Sequence, residues 1–198
     1  CYGSVLSMIH FWKPEDYEDL HKAEKFSDLF PIALRVIERM QPPVAMVSGP
    51  VSTGGKGSIE ENLHALSASV DLAYNKGANI FDQNPFEAKL QELKERCTHE
   101  GYCKELLEDF YKPIFESGKL KTIYFLPDWQ TSMGAQWEHA QCEILGIQAL
   151  DYPKEWLEEL EKEEHEAEAR WRILTGGAQP SSSKQVQEYL YDTLGLPV

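Results

Sequence analysis

Short apolar runs alternate with amphipathic stretches along most of the chain, and this pattern predicts strands and helices in turn. The apolar runs predict strands at residues 44–47, 78–81, 121–126 and 147–150. Helical spacing predicts helices over residues 14–40, between a glycine-rich loop and Gly77, and over 87–97, 102–116, 132–145 and 154–174. Strands that alternate with helices are typical of a mostly parallel sheet covered on both faces. The sequence therefore predicts an α/β fold with a doubly wound parallel sheet.

The predicted strands lie in residues 44–150, which we interpret as the core domain between two extensions. Residues 1–43 combine an apolar stretch with a helical segment that Pro42-Pro43 closes. Residues 151–198 hold a charged helix, a linker-like segment at 176–183 and a last amphipathic helix at 185–194. The apolar stripe of the charged helix, which includes Trp156 and Trp171, needs a partner surface, so we expect a homodimer. Folding of both extensions onto their own sheet is the alternative.

Composition limits the classes of partner. The chain has 198 residues, 42% of them hydrophobic, which is enough for one α/β domain with extensions. Its formal charge of −14 argues against nucleic acid or an anionic membrane surface as a partner. No apolar run reaches the length of a membrane span and no signal peptide is recognisable, so we expect a cytoplasmic protein.

The four cysteines form no recognisable disulfide framework or paired metal motif. Cys97 and Cys103 flank His99, but a fourth ligand and regular spacing are missing. We therefore expect free thiols and no metal site.

Glu138 stands out because it lies on the face of its predicted helix that is turned toward the protein interior, where a surface helix does not usually place a carboxylate. In the helix that follows the strand at 121–126, it stacks with Gly134 one turn before and Cys142 one turn after, on a small and apolar face. The apolar pattern of the same helix runs through Met133, Trp137, Ile144 and Leu145. Such a carboxylate is partly desolvated and lies near the edge at which open α/β sheets bind ligands. The alternative role is a salt bridge with a neighbour.

Two further features belong to the same edge. Ser132 is the predicted N-cap of the Glu138 helix, and a helix N-terminus favours an anion. Gly134 fits a close approach of backbone or ligand. The glycine-rich loop at 48–57 is neither a Walker motif nor a dinucleotide fingerprint, but it offers many backbone donors and could form a second wall of a phosphate or sugar pocket. A plain connection is the alternative reading of this loop.

Three aspartates lie near strand ends. Asp82 follows the second predicted strand, Asp109 precedes the third, and Asp128 follows the third in a Pro-Asp-Trp turn. Each is either a candidate acid or a turn or cap residue, and the turn role is the stronger one for Asp128.

Three motifs together resemble the nucleoside 2-deoxyribosyltransferase superfamily over residues 44–150. They are Ser48-Gly49-Pro50, Glu61-Asn62-Leu63 and the run from Leu126 to Glu138, of sequence LPDWQTSMGAQWE. The resemblance implies a flavodoxin-like fold, a dimer or higher oligomer, and cleavage of the N-glycosidic bond of 2-deoxynucleosides or nucleoside 5′-monophosphates. It also implies that Glu138 is the nucleophile. We expect no cofactor and no metal.

The resemblance assigns further residues. Ser132, six residues before the glutamate, matches the serine of the monophosphate N-glycosidase branch, where transferases carry an aspartate. Asp109 is the nearest match to the second acid, and Asp82 is the other candidate. From the glycine-rich loop and the resemblance together, we expect the substrate-binding residues to be Ser48, Gly49, Pro50, Thr53, Gly54, Gly55, Asn62, Asp128, Ser132 and Gly134. Met46 departs from the family, since many members carry a tyrosine there; a relocated hydroxyl, weaker catalysis or a scaffold kept for binding would each account for it.

Chemistry and resemblance converge on one function. A carboxylate beneath C1′ can stabilise an oxocarbenium-like state or form a glycosyl-enzyme, while a second acid protonates the leaving base. We expect hydrolysis or transfer at the N-glycosidic bond of a (deoxy)nucleoside 5′-monophosphate. The alternatives are a non-catalytic nucleotide-binding or regulatory module on the same fold and, third, an unrelated flavodoxin-like protein.

Overall fold

The computed structural model describes residues 11–97 and 103–176. The helices in these ranges are α1 (Pro14–Lys22), α2 (Phe26–Glu38), α3 (Ile59–Asn75), α4 (Glu87–Glu95), α5 (Lys104–Leu106), α6 (Lys112–Glu116), α7 (Met133–Leu145) and α8 (Lys154–Thr175). A π-helical stretch, Leu107–Tyr111, joins α5 to α6. The expectations for residues 1–10, for His99 and for the helix at 185–194 lie outside the described residues.

Three parallel strands form the sheet: β1 (Val44–Ser48), β2 (Leu120–Phe125) and β3 (Gln148–Asp151), with β2 in the middle. The strand expected at residues 78–81 is reduced to one bridge between Ala45 and Ile80. The backbone N–H of Ala45 donates to Asn79 O, and that of Phe81 donates to Ala45 O, each at 2.8 Å. This segment therefore runs parallel to β1, and the turn after Phe81 ends the pairing. The predicted α/β class with a parallel sheet is confirmed.

Helices cover both faces of the sheet. Val44 and Met46 of β1, with Ile123 and Phe125 of β2, join a large buried cluster that includes residues of α2, the π-helical stretch and α7. The alternate β1 residues are also buried but lie outside this cluster, on the side where α3 packs against β1. Strands buried on both faces read as continuous apolar runs, as β1 does.

The chain divides into two compact units, Cys1–Tyr152 and Pro153–Val198. Helix α2 contributes Leu29, Ile32 and Val36 to the same buried cluster as β1, so the helices set apart in the sequence as an N-terminal extension belong to the core of the first unit. The described part of the second unit is the 22-residue helix α8. Among the described helices, none combines the length and apolar character that crossing a membrane requires.

The expectation of free thiols is wrong for two cysteines, because Cys97 and Cys103 form a disulfide. Their Cα atoms lie 6.1 Å apart, within the usual range for a disulfide. This approach depends on the path of the chain between α4 and α5, which the spacing of the cysteines does not reveal. Glu105 lies within ligand reach of both sulfur atoms, but sulfurs bonded to each other are not the thiolates that bind metals. Cys142 is a free, buried thiol.

A buried ionic network holds α1 against α2. Asp16 is fully buried and accepts hydrogen bonds from Arg35, from Arg39 and from the backbone N–H of Lys13. Burial alone would raise the pKa of Asp16, but the hydrogen bond and charge of Arg39, together with the Lys13 and Arg35 bonds, hold it below its ordinary value of 3.8. A buried charge is tolerated when its partners satisfy it in this way.

We expect Asp16→Asn to lower the free energy of unfolding by about 2–3 kcal/mol at pH 7, because it removes the buried carboxylate that Arg35 and Arg39 share and leaves Arg39 with the more distant Glu15, at 4.0 Å. Since the pKa of Asp16 is lowered in the fold, its contribution is present at neutral pH and is lost as pH falls through the acid range. Urea unfolding at pH 7 and pH 3 measures both effects. Asp19→Asn is the matched control, because Asp19 is half-exposed and, within residues 11–97 and 103–176, pairs with Arg35 alone, so a loss below about 1 kcal/mol is expected. Equal losses for the two variants would contradict the central role of Asp16.

Candidate functional site

Glu138 lies on the buried face of α7, as its spacing predicted. The Ser132 hydroxyl caps this helix and accepts from the backbone N–H of Ala135 at 3.3 Å. Gly134, Glu138 and Cys142 then follow one another at four-residue intervals on the buried face, and Glu138 is only 7% exposed. The apolar pattern predicted for the same helix is wrong in part, because Met133, Ile144 and Leu145 are exposed.

Ser48 holds the Glu138 carboxylate in place. Ser48 is the last residue of β1, is almost fully buried, and its hydroxyl donates a hydrogen bond to Glu138 Oε2. Burial raises the pKa of Glu138 to about 7; the Ser48 hydrogen bond opposes this rise and the charge of Glu87 adds to it. The carboxyl group therefore changes its charge near neutral pH, at the carboxyl end of the parallel strands.

A cavity of about 40 Å³ opens beside Glu138. Four of the residues that line it were predicted from the sequence as site residues: Gly49, Ser132, Gly134 and Glu138. Five others with polar side chains were not predicted: Ser52, Gln83, Glu87, Lys94 and Tyr111. The cavity thus lies between the glycine-rich loop and the start of α7, with α4 and the π-helical stretch closing it.

The glycine-rich loop is fixed by side chains from outside it. The Asn62 amide group donates to Val51 O and Gly54 O, at 3.0 Å each, and accepts from the backbone N–H of Lys56 at 2.8 Å. Thr131 Oγ1 accepts from the backbone N–H of Gly55 at 3.2 Å. These bonds tie the loop both to α3 and to the turn before α7.

Two glycines of the loop are required by its shape. Gly54 and Gly55 have φ angles of 71° and 69°, which favour glycine. A Cβ atom on Gly54 would lie 2.0 Å from Thr131 Oγ1, and one on Gly55 would lie 2.4 Å from Asn62 Oδ1 and 2.7 Å from Pro50 Cβ. Gly54, Gly55 and Asn62 line a separate open groove of about 270 Å³ that does not include Glu138.

Thr53 connects the loop to α7, because its hydroxyl accepts from the backbone N–H of Met133 at 3.2 Å. With Ala135 bonded to Ser132, two of the first three N–H groups of α7 have partners. Among the described residues, no acceptor faces the third one, that of Gly134. This donor lies at the wall of the Glu138 cavity.

The structure does not bring the three candidate aspartates to the cavity. Asp109 is exposed on the π-helical stretch. Asp128 is exposed, has a φ angle of 62°, and accepts from Thr131 through its backbone oxygen, so it is a turn residue. Asp82 is mostly buried and accepts from the backbone N–H of Asn84 at 2.9 Å; burial raises its pKa, but it does not line the cavity.

Glu87 is the second carboxyl group of the cavity. Burial raises its pKa, which the charge of Lys94 opposes, and burial also lowers the pKa of Lys94. One oxygen of Glu87 is buried without a hydrogen-bond partner among the described residues. A signal for Glu87 was available in the sequence, because it begins the helix that follows the segment at 78–81, on the same edge of the sheet as Glu138.

Met46, the position at which the resemblance implies a tyrosine, is fully buried in the core cluster. Tyr111 instead brings a phenol to the cavity from the π-helical stretch.

The chain was compared with known proteins in three ways. A scan against models of protein families, a search of curated proteins and a search of solved structures each found no match.

We expect Glu138→Gln to stabilise the fold at pH 8 by about 1–3 kcal/mol. The folded-state pKa of Glu138 is about 7, against an ordinary value of 4.5, so its ionisation costs stability as pH rises through this window. The glutamine keeps an acceptor for Ser48 but carries no charge. Urea unfolding from pH 5 to pH 8 should show the variant gaining on the wild type as pH rises, whereas Glu143→Gln, at an exposed position of α7, should not. Parallel curves for Glu138→Gln and wild type would contradict the raised pKa.

Proposed function

We propose that the protein breaks the N-glycosidic bond of a (deoxy)nucleoside 5′-monophosphate, by hydrolysis or transfer, with Glu138 as the nucleophile. The observation that carries this proposal is the buried Glu138 carboxyl group, held by Ser48 at the edge of a cavity that a glycine-rich loop and a helix N-terminus enclose. The motif resemblance over residues 44–150 points to the same reaction.

The order of segments across the sheet supports a flavodoxin-like arrangement. The segment at 79–81, β1, β2 and β3 lie side by side and follow the chain order second, first, third, fourth. These are the first four positions of the flavodoxin-like order 2-1-3-4-5. In that fold ligands bind outside the carboxyl ends of the strands at the switch point, which here is the end of β1 and β2, beside Ser48.

In the reaction, Glu138 faces positive charge that develops at C1′ as the bond to the base lengthens. A carboxylate there stabilises the oxocarbenium-like state and can form a covalent glycosyl-enzyme, which water or a second base then resolves. A pKa of about 7 leaves a substantial ionised fraction at neutral pH, and the Ser48 hydroxyl directs one carboxylate oxygen. Burial keeps competing water away from the other oxygen.

The leaving base must gain a proton, and we assign this role to Glu87 in place of Asp109 or Asp82. Glu87 lines the cavity with Glu138, and the charge of each group disfavours ionisation of the other. Burial raises the pKa of Glu87, which favours the protonated form that a proton donor requires.

The first turn of α7 is the proposed phosphate site. Helix N-termini favour anions, and the Gly134 N–H and the Ser132 hydroxyl both lie at the cavity wall. Lys94 adds a positive charge to the same cavity.

Incubation with a panel of nucleoside 5′-monophosphates and their 2′-deoxy forms, with free base measured by chromatography, tests the reaction. We expect base release by the wild type and a loss of at least 10³-fold in Glu138→Gln, since the neutral amide cannot form the glycosyl-enzyme. Glu143→Gln should keep full activity, because its side chain is exposed on the far part of α7. Tight binding of nucleotides without base release would favour the non-catalytic module, and neither binding nor release would remove both readings.

The substitution Ser132→Asp separates the phosphate role of Ser132 from its role as a helix cap. Aspartate is as good an N-cap as serine, but Ser132 is buried, so we expect stability to fall by about 1–3 kcal/mol while the helix keeps its cap. The negative charge of the aspartate beside a phosphate should lower kcat/KM for monophosphates by about 10- to 100-fold and leave free nucleosides nearly unchanged. Equal changes for nucleosides and monophosphates would show that Ser132 is only a cap.

A further inference from the structure

Gln83 brings an unpaired hydrogen-bond acceptor into the cavity. It is only 4% exposed and lines the cavity together with Glu138. Its amide nitrogen donates to Val47 O at 3.5 Å, while its Oε1 atom is buried with no hydrogen-bond partner among the described residues. Buried acceptors without partners are uncommon in folded proteins.

The Val47 carbonyl decides which end of the amide faces the cavity. With the amide reversed, Oε1 would approach Val47 O, and two acceptors would face each other while Nε2 lost its bond. The observed orientation keeps that bond, so Gln83 presents its Oε1 oxygen to the cavity. A ligand that satisfies this wall must bring an N–H or O–H group.

The cavity also carries donors, among them the Lys94 ammonium group, the Gly134 N–H and the Ser132 hydroxyl. None of the described donors bonds to Gln83 Oε1, which stays without a partner. A ligand is therefore the group that can satisfy this oxygen.

We propose that Gln83 selects nucleotides whose base carries an exocyclic amino group, as in adenine, cytosine and guanine, over bases that carry a carbonyl at the same place. This inference rests on the proposed function, since it names the substrate class of the same cavity. The amino group donates one hydrogen to Gln83 Oε1. A carbonyl oxygen in that position would set lone pair against lone pair and leave Gln83 unpaired.

The expected selectivity follows from the cost of an unpaired buried group. That cost corresponds to about a 5- to 150-fold difference in kcat/KM. Sites built to hydrogen-bond a substrate group reject analogues that lack it, whereas purely apolar pockets do not.

Two pairs of 5′-monophosphates test the inference: adenosine against inosine, and cytidine against uridine. In each pair the exocyclic amino group is replaced by a carbonyl, and the neighbouring ring nitrogen gains a hydrogen. We expect the wild type to favour the amino member of at least one pair by about 5- to 150-fold in base release. Gln83→Met keeps the length of the side chain but removes its acceptor, so the preference should fall below about 3-fold. Gln136→Met, at an exposed position of α7, should keep it.

The outcomes separate this inference from the proposed function. Base release at equal rates from both members of each pair, or a preference that persists in Gln83→Met, would overturn the role of Gln83 and leave the reaction intact. If no nucleotide releases base, the proposed reaction fails, and calorimetric binding of the same pairs to the wild type still tests Gln83. Equal affinities, or no binding, would then overturn it. Circular dichroism checks the fold of Gln83→Met, and if that variant does not fold, the wild-type ratio alone decides.

Discussion

Burial of the Glu138 carboxyl group at the carboxyl end of the sheet is the constraint on which the rest of the site depends. Ser48 and Glu138 are 90 residues apart in the chain, and their hydrogen bond joins the end of β1 to the second turn of α7. For this bond to form, α7 must lie close to β1, and the small Gly134 on the same face of α7 suits that approach. Desolvation then moves the pKa of the carboxyl group into the neutral range.

The elements around this bond divide into those that shape the site and those that supply its chemistry. The glycine-rich loop is chiefly structural: Thr53 and Thr131 connect it to the region of α7, and Asn62 connects it to α3. The ionisable side chains of the cavity come from α7, which contributes Glu138, and from α4, which contributes Glu87 and Lys94. Lys94 limits the repulsion between the two carboxyl groups, because its charge favours the ionised form of Glu87.

Sequence patterns predicted the strands of the sheet, the cap at Ser132 and the burial of Glu138, because each follows from local periodicity and helix geometry. Asp109 shows where resemblance misled: the buried residues around it, such as Leu106, Phe110 and Ile114, repeat every four positions and by themselves place Asp109 on the solvent side. Glu87 was missed although its place at the start of the helix after residues 78–81 was a signal. Gln83 was missed because its role depends on which way the chain turns after Phe81, and tertiary contacts set that turn. The disulfide between Cys97 and Cys103 could not be predicted either, because tertiary structure brings the two cysteines together.

Asn62 has a consequence for the thermodynamics of ligand capture. One side chain, itself 5% exposed, satisfies three backbone groups of the glycine-rich loop and so ties the loop to the start of α3. We therefore expect the loop to become ordered during folding. The conformational entropy lost in ordering it then does not weaken the binding of a ligand. Because this wall is preorganised, we expect little change in the loop backbone between the free and the bound protein.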